Sequence, residues 1–372
     1  MLSFPAASKA GFQLPEKGTP ISEVPTPALI IELETLQSNI RRLMSEMRNK
    51  VHVRPHLKTA KSPVIAKMLL DAGACGICVA KTGEAEIMCE AGIGDVLVTS
   101  PVGHPTTALW LARLIKTHKN LKVVIDSEQT ATLLADALSS IGSRAQVLID
   151  INVGQNRTGV RPEKAPELAH FVWRLKELEV IGLQGYEGHL QHLPDYEKSE
   201  KGKQALQLLT DTANHLRQTH KIEMVTTGGT GTYQICANYP GVTEIQPGSF
   251  IFMDKQYRDA LGDTSYKNAL FVLTTVISKP DAETATIDGG WKTFSTECGM
   301  PSALDSSISY SPAGDEHGRL TGSAVPRLNI GDQVMFVPSH IDTTVANHEF
   351  YVVTKDNLVH DVWPIATRGR VQ

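Results

Sequence analysis

From Thr26 to about Asp254 the chain alternates between two patterns. Short apolar runs bounded by Gly, Pro or Asp are followed by longer stretches with apolar residues at helical spacing. The runs are ALIIEL, VHVRP, GICVA, DVLVTS, KVVIDS, QVLIDINV, VIGLQGYEG, EMVTTGG and TEIQPG. The stretches between them include TLQSNIRRLMSEM, KSPVIAKMLLDAG, KTGEAEIMCEAG and KGKQALQLLTDTANHLRQT. Runs without strict apolar–polar alternation suit parallel strands covered on both faces. Strand followed by helix, repeated about eight times over this length, predicts an α/β fold of the (β/α)8 TIM-barrel type; a doubly wound open sheet is the other architecture the pattern allows.

After about Lys267 the pattern changes. ALFVLTTVISKP, TATIDGGWK, QVMFVPSH and EFYVVTKDNLVHDVW are rich in β-branched and aromatic residues, and turns rather than amphipathic helices separate them. This predicts an all-β C-terminal domain. The expected organisation is a barrel over residues 26–262 and a β domain over 263–372, with residues 1–25 packed against the β domain.

The chain has 372 residues, enough for a large core without disulfide support. Its formal net charge of −4 offers no basic field for nucleic acid or an anionic membrane. No apolar run approaches the ~20 residues of a membrane-spanning helix. The first residues lack the basic-then-apolar order of a secretory leader. Five scattered cysteines argue against a disulfide framework and for a reducing, cytoplasmic setting. Cys75 and Cys78 form a CxxC, but no second pair stands at zinc-finger spacing, so a buried structural role is expected.

Barrel active sites lie at the C-terminal ends of the strands. After VHV come Arg54, Pro55, His56, Leu57 and Lys58. A lysine there, beside His and Arg, is a candidate Schiff-base former, because neighbouring cations and desolvation free its amine; on position alone, a solvated surface lysine is the favoured reading. After EMV comes Thr226-Thr227-Gly228-Gly229-Thr230-Gly231-Thr232, either a phosphate-binding loop of backbone N–H groups and hydroxyls or a plain turn. Pro247-Gly248-Ser249 is a second small-residue loop that could close over the same phosphate. Arg157 follows another strand end, and Tyr186, His189, Gln191 and His192 share one post-strand loop. In the β domain His340 and Asp342 stand two apart. On an extended segment they would point to one side and could share a cation. Imidazole plus carboxylate suits Mn²⁺, Mg²⁺ or Zn²⁺.

Together, PHLKTAKSP, VGQNRTGV, TTGGTGTY, EIQPGSFIFMD, STECGMP, DEHG and PSHIDTT occur in the order of a known family. From Thr26 to Arg368 the chain resembles the D-threonine aldolase and D-serine dehydratase family, pyridoxal phosphate (PLP) enzymes of the alanine-racemase fold. The resemblance implies that Lys58 is the Schiff-base lysine. It implies cofactor contacts at His56, Arg157, Tyr186, Thr227, Gly229, Thr230, Gly231, Gly248, Ser249 and Tyr257. It implies a metal pair at His340 and Asp342, and at His192 a base for the substrate hydroxyl. It also implies a homodimer in which the partner subunit completes the active site.

Two reactions remain open on this resemblance. An aldolase would split a D-3-hydroxy amino acid into glycine and an aldehyde. A dehydratase would release an oxo acid and ammonia. The dehydratases resembling this chain carry His-x-Cys, whose thiolate favours zinc, whereas His-x-Asp is the aldolase-like pair and favours Mn²⁺ or Mg²⁺. One departure stands out: Glu187 occupies a position where the aldolases usually have His. A non-catalytic PLP-binding role in cofactor homeostasis is the third reading; such proteins are shorter and usually lack the β domain.

Overall fold

The computed structural model describes residues 13–262 and 265–372. The expectations placed on residues 1–12, absence of a leader and packing on the β domain, lie outside the described residues. Two compact units emerge, one from residues 42–58, 63–248 and 370–372, the other from residues up to 41, 59–62 and 249–369.

Among the described residues the first strand is β1 (Ala28–Glu32). The strands of the first unit are then β2 (His52–Val53), β3 (Ile77–Val79), β4 (Val96–Val98), β5 (Leu121–Ile125), β6 (Ala145–Asp150), β7 (Leu178–Gly185), β8 (Met224–Thr227) and β9 (Glu244–Ile245). They hydrogen-bond in the order β2-β9-β8-β7-β6-β5-β4-β3, every pair parallel. The two ends of that row meet just past β2. The Leu57 N–H donates to the Cys78 carbonyl at 2.8 Å, and the Cys78 N–H donates to the Pro55 carbonyl at 2.8 Å. The sheet therefore closes into a barrel rather than remaining open. β3, β4 and β5 are buried along their whole lengths, which is why their sequences run apolar without alternation. Cys78, Leu97, Val124 and Leu148 pack into one core cluster.

Helices follow most strands and carry local start signals. Ser127 and Thr130 form a reciprocal capping box ahead of the helix Glu128–Ser140. His104 caps the helix Pro105–Thr117, with Pro105 in its first turn. Beneath the strands, Arg54 donates to both Glu244 carboxylate oxygens at 3.0 Å and to Asp95, which Lys122 also reaches at 2.9 Å. The Cys75 thiol donates to Glu244 at 3.2 Å, and burial pushes it up to about 12. The CxxC is thus packed structure.

The second unit holds β1 with β10 (Leu270–Ser278), β11 (Ala285–Ile287), β12 (Ser302–Ala303), β13 (Ser309–Pro312), β14 (Gly318–Thr321), β15 (Gln333–Val337), β16 (Phe350–Lys355) and β17 (Leu358–Pro364). It is mostly antiparallel, in the order β13-β14-β11-β10-β1-β16-β17, with β15 beside β10 and β12 beside β15. One sequence expectation is corrected here. ALIIEL belongs to this sheet and not to the barrel, pairing Leu29 with Val272 and Ile30 with Val352. A central strand covered on both faces is apolar throughout in either kind of sheet, so periodicity alone could not assign it. Residues 26–41 and 249–262, placed with the barrel from sequence, likewise group with this unit. The Gly18 N–H donates to the Val359 carbonyl at 2.8 Å, so the chain just before β1 runs along β17. Among the described residues no helix is long and apolar enough to cross a membrane.

Candidate active site and metal pair

In the barrel unit, the turn after β2 carries His56 and Lys58. The Lys58 backbone N–H donates to His56 Nδ1 at 3.3 Å, and His56 Nε2 lies 3.0 Å from Thr99 Oγ1. The Thr99 hydroxyl itself donates to the Val79 carbonyl at 3.1 Å. These roles are mutually consistent only if His56 carries its proton on Nε2. The ring thereby ties the lysine turn to the end of β4. The His56 N–H donates to the Pro247 carbonyl at 3.1 Å, so the loop leading to Gly248 starts beside the same turn. Lys58 is half-buried.

A buried polar layer lies at the strand ends. The Gln184 amide donates to Asp150 at 2.9 Å, the Thr158 hydroxyl donates to Asp150 at 2.9 Å, and Gln246 donates to Thr226 at 2.9 Å. Burial pushes the Asp150 carboxyl up to about 6 against the hydrogen bonds from Gln184 and Thr158. Arg157 places its guanidinium 5.6 Å from the centre of the Tyr186 ring, and both line one small cavity with Asp150 and Gln184. His192 is exposed, in the turn before the helix Asp195–Arg217.

The Thr/Gly loop is held from behind by a residue that the sequence argument had marked only as a departure. Glu187 is 1% exposed. Its carboxylate accepts from the Thr227 hydroxyl at 2.7 Å, the Thr232 hydroxyl at 2.5 Å, the Gly228 N–H at 3.3 Å and the Gln191 amide at 3.3 Å. The Gly231 N–H donates to Gln191 Oε1 at 2.8 Å and the Gly229 N–H to Thr232 Oγ1 at 3.1 Å. A Cβ on Gly231 would stand 2.0 Å from the Gln191 carbonyl oxygen. The need for glycine here therefore comes from the close approach of Gln191. The donors of Thr227, Gly229 and Gly231 thus face protein partners.

The sheet unit resumes at Ser249, directly after Gly248, with a short buried turn, and Asp254 caps the helix Lys255–Leu261 by accepting from the Tyr257 N–H at 2.8 Å. Its other oxygen accepts from the Ile341 N–H at 3.1 Å. Asp254 is wholly buried, and that burial pushes its carboxyl up to about 6. His340 directly precedes the helix Ile341–Ala346, and Asp342 lies in its first turn. The expected extended segment is thus absent. The helix start brings the two side chains together instead, with His340 Nε2 and Asp342 Oδ2 3.7 Å apart. The Thr59 hydroxyl donates to Asp342 Oδ2 at 3.3 Å.

Glu297, within the STECGMP motif but not singled out from sequence, meets this pair. Its Oε1 lies 2.6 Å from His340 Nδ1 and 2.5 Å from the Thr343 hydroxyl, and Ser295 donates to its other oxygen. Burial raises the Glu297 carboxyl, but the hydrogen bonds from Ser295, Thr343 and His340 outweigh it and hold the group at about 2. Glu297, Cys298 and His340 each bring one donor atom within 4.8 Å of the others.

Both donor sets fit the groups implied for them. His340 Nε2 and Asp342 Oδ2 are separated by about the span of two donors on one divalent ion with bonds of ~2.0–2.2 Å. In the barrel, the Lys58 amine, the Arg157 guanidinium and the Thr230 hydroxyl are the types that hold an aldehyde and an anionic phosphate.

Residues 31–256 match the family model "Alanine racemase, N-terminal domain", and residues 269–354 match that of the serine dehydratase domain. A D-threonine aldolase of Arthrobacter sp. is 34% identical, across 96% of this chain and 97% of the relative. The crystal structure of D-threonine aldolase from Filomicrobium marinum superposes with a TM-score of 0.93 at 32% identity, covering 97% of this chain and 100% of that one. D-threo-3-hydroxyaspartate dehydratase from Delftia sp. HT23, with a variant solved in a metal-free form, gives a TM-score of 0.85 at 26% identity over 93% of this chain and 98% of that one.

Proposed function

We propose a carbon–carbon lyase activity for this chain, which belongs to the alanine racemase family through its N-terminal domain. The reaction is retro-aldol cleavage of a D-3-hydroxy amino acid to glycine and an aldehyde, with pyridoxal phosphate and a divalent metal, Mn²⁺ or Mg²⁺ before Zn²⁺. The observation that carries the reading is the His340–Asp342 pair. It offers nitrogen and oxygen, with no thiolate at the second position, and suits a hard ion that binds a hydroxyl.

Bound pyridoxal phosphate supplies an electron sink for the pair of electrons left at Cα. Lys58 would provide the amine that holds the cofactor. His56 fixes the turn on which Lys58 stands. Arg157, backed by Tyr186, pairs with an anionic oxygen, and Thr230, Gly248 and Ser249 present donors to the phosphate. His340 and Asp342 would hold a cation, which would supply orientation and acidification of the substrate β-hydroxyl. His192 takes the proton from that hydroxyl as the Cα–Cβ bond breaks. The working form is a cytoplasmic homodimer in which a second copy completes each site.

Incubation with D-threonine and D-3-hydroxyaspartate beside their L forms tests the reading. Glycine is expected from the D forms alone. Glycine from neither enantiomer, with the cofactor present, overturns it. The dehydratase reading is favoured by the match of residues 269–354, and differs in releasing ammonia.

A further inference from the structure

We propose that Glu297 is a positioning residue for the metal pair, holding His340 in the tautomer and ring orientation that turn Nε2 toward a cation beside Asp342. This rests on the metal reading above.

The argument starts from the His340 ring. His340 stands at the cap position of the helix Ile341–Ala346 with extended backbone, φ −140° and ψ 130°, and its side chain makes no capping hydrogen bond. The ring is therefore oriented by something else. Nδ1 lies 2.6 Å from Glu297 Oε1. An ionised carboxylate only accepts, so Nδ1 must donate. A neutral imidazole carries one N–H, which leaves the lone pair on Nε2. That is the nitrogen lying 3.7 Å from Asp342 Oδ2.

Distances separate the two roles. Adjacent donors on one ion, with bonds of ~2.0–2.2 Å, stand about 3 Å or more apart. The contact between Nδ1 and Glu297 is shorter than that and is a hydrogen bond. The contact between Nε2 and Asp342 is too long for a hydrogen bond and of the right order for two ligands. Glu297 is itself held: Thr343, one helical step beyond Asp342, donates to the same oxygen at 2.5 Å, and Ser295 donates to the other. The carboxylate is thus oriented before a metal arrives. Such partners fix ring and tautomer and make the ligating nitrogen more basic, and their loss typically costs about 10–100-fold in metal affinity.

The test uses whole protein freed of metal by chelator and titrated with Mn²⁺, free ion being followed by electron paramagnetic resonance. Wild type should bind, and His340→Ala should abolish the site. Glu297→Ala should bind about 10–100-fold more weakly. Glu297→Gln, which keeps an acceptor oxygen and disturbs the fold least, should lose less. Nitrogen-15 spectra of the metal-free protein should show His340 protonated on Nδ1 in wild type and as a tautomer mixture in Glu297→Ala. Unchanged affinity and tautomer in both Glu297 variants, with binding lost in His340→Ala, overturns the proposal and leaves the metal reading standing. No binding in wild type of Mn²⁺, Mg²⁺ or Zn²⁺ removes the metal reading, and the proposal with it. A sulfur-to-metal absorption band in the Co²⁺-loaded protein that vanishes in Cys298→Ser would make Glu297, Cys298 and His340 Nδ1 the ligands, and would also overturn it.

Discussion

Two glutamates in this molecule do similar bonding and different jobs. Glu187 sits behind the Thr/Gly loop at 1% exposure, and its carboxylate is surrounded by donors from that loop and from Gln191. Glu297 accepts from Ser295, Thr343 and His340, but stands exposed in a turn facing the start of the helix Ile341–Ala346. The buried carboxylate is answered by backbone and hydroxyl groups that have no water to turn to, so it fixes a loop conformation. The open one loses little if its partners return to water, so what it fixes is the direction of one ring. Burial decides which of the two is a matter of stability and which a matter of chemistry.

The largest effect expected lies with neither glutamate. Lys58→Ala should abolish turnover, and borohydride reduction of the loaded wild-type protein should label Lys58, checked by peptide mass mapping. Label on another lysine contradicts the assignment.

Next comes the comparison itself. Glu187→Ala strands buried donors at Thr227, Gly228 and Thr232 and should cost about 3–5 kcal/mol of stability, measured by urea unfolding. Glu297→Ala should leave the unfolding midpoint nearly where it was. If the two variants unfold alike, burial does not separate them as argued.

The His192→Ala variant sharpens the chemical side. A general base contributes ~10²–10⁴-fold, so cleavage should slow by about that much while cofactor binding persists. Full activity in this variant excludes His192 as the base.

A smaller effect concerns Asp150. Its carboxyl is pushed up to about 6 in the folded protein from 3.8, so ionising it opposes folding. The stability it contributes is full below about pH 4 and is lost as pH rises through about 6, an effect on the order of 3 kcal/mol. Asp150→Asn should flatten the change in unfolding free energy between pH 4 and 7. An identical slope in variant and wild type would mean that the carboxyl titrates normally.

Much of the architecture was legible in the pattern of apolar runs, because parallel strands buried on both faces leave continuous apolar signatures. The ALIIEL run was misassigned because the centre of the second sheet leaves the same signature. Lys58, His340 and Asp342 could be named as candidates because each stands in a short motif. The two glutamates were not. Glu187 meets Thr227 across 40 residues of chain, and Glu297 meets His340 across 43. A lone carboxylate carries no local sign of such partners. The Thr/Gly loop carries a requirement that its composition does not reveal, since the close approach of Gln191 holds Gly231 to glycine.

The most direct test of the whole account is a product balance. Metal-loaded protein is given D-threonine or D-3-hydroxyaspartate, and glycine, aldehyde, ammonia and oxo acid are measured separately in the same sample. The account expects glycine and the aldehyde in equal amounts without ammonia, lost on chelation and restored by Mn²⁺. Ammonia and an oxo acid in equal amounts, with no glycine, would contradict it and make the chain a dehydratase.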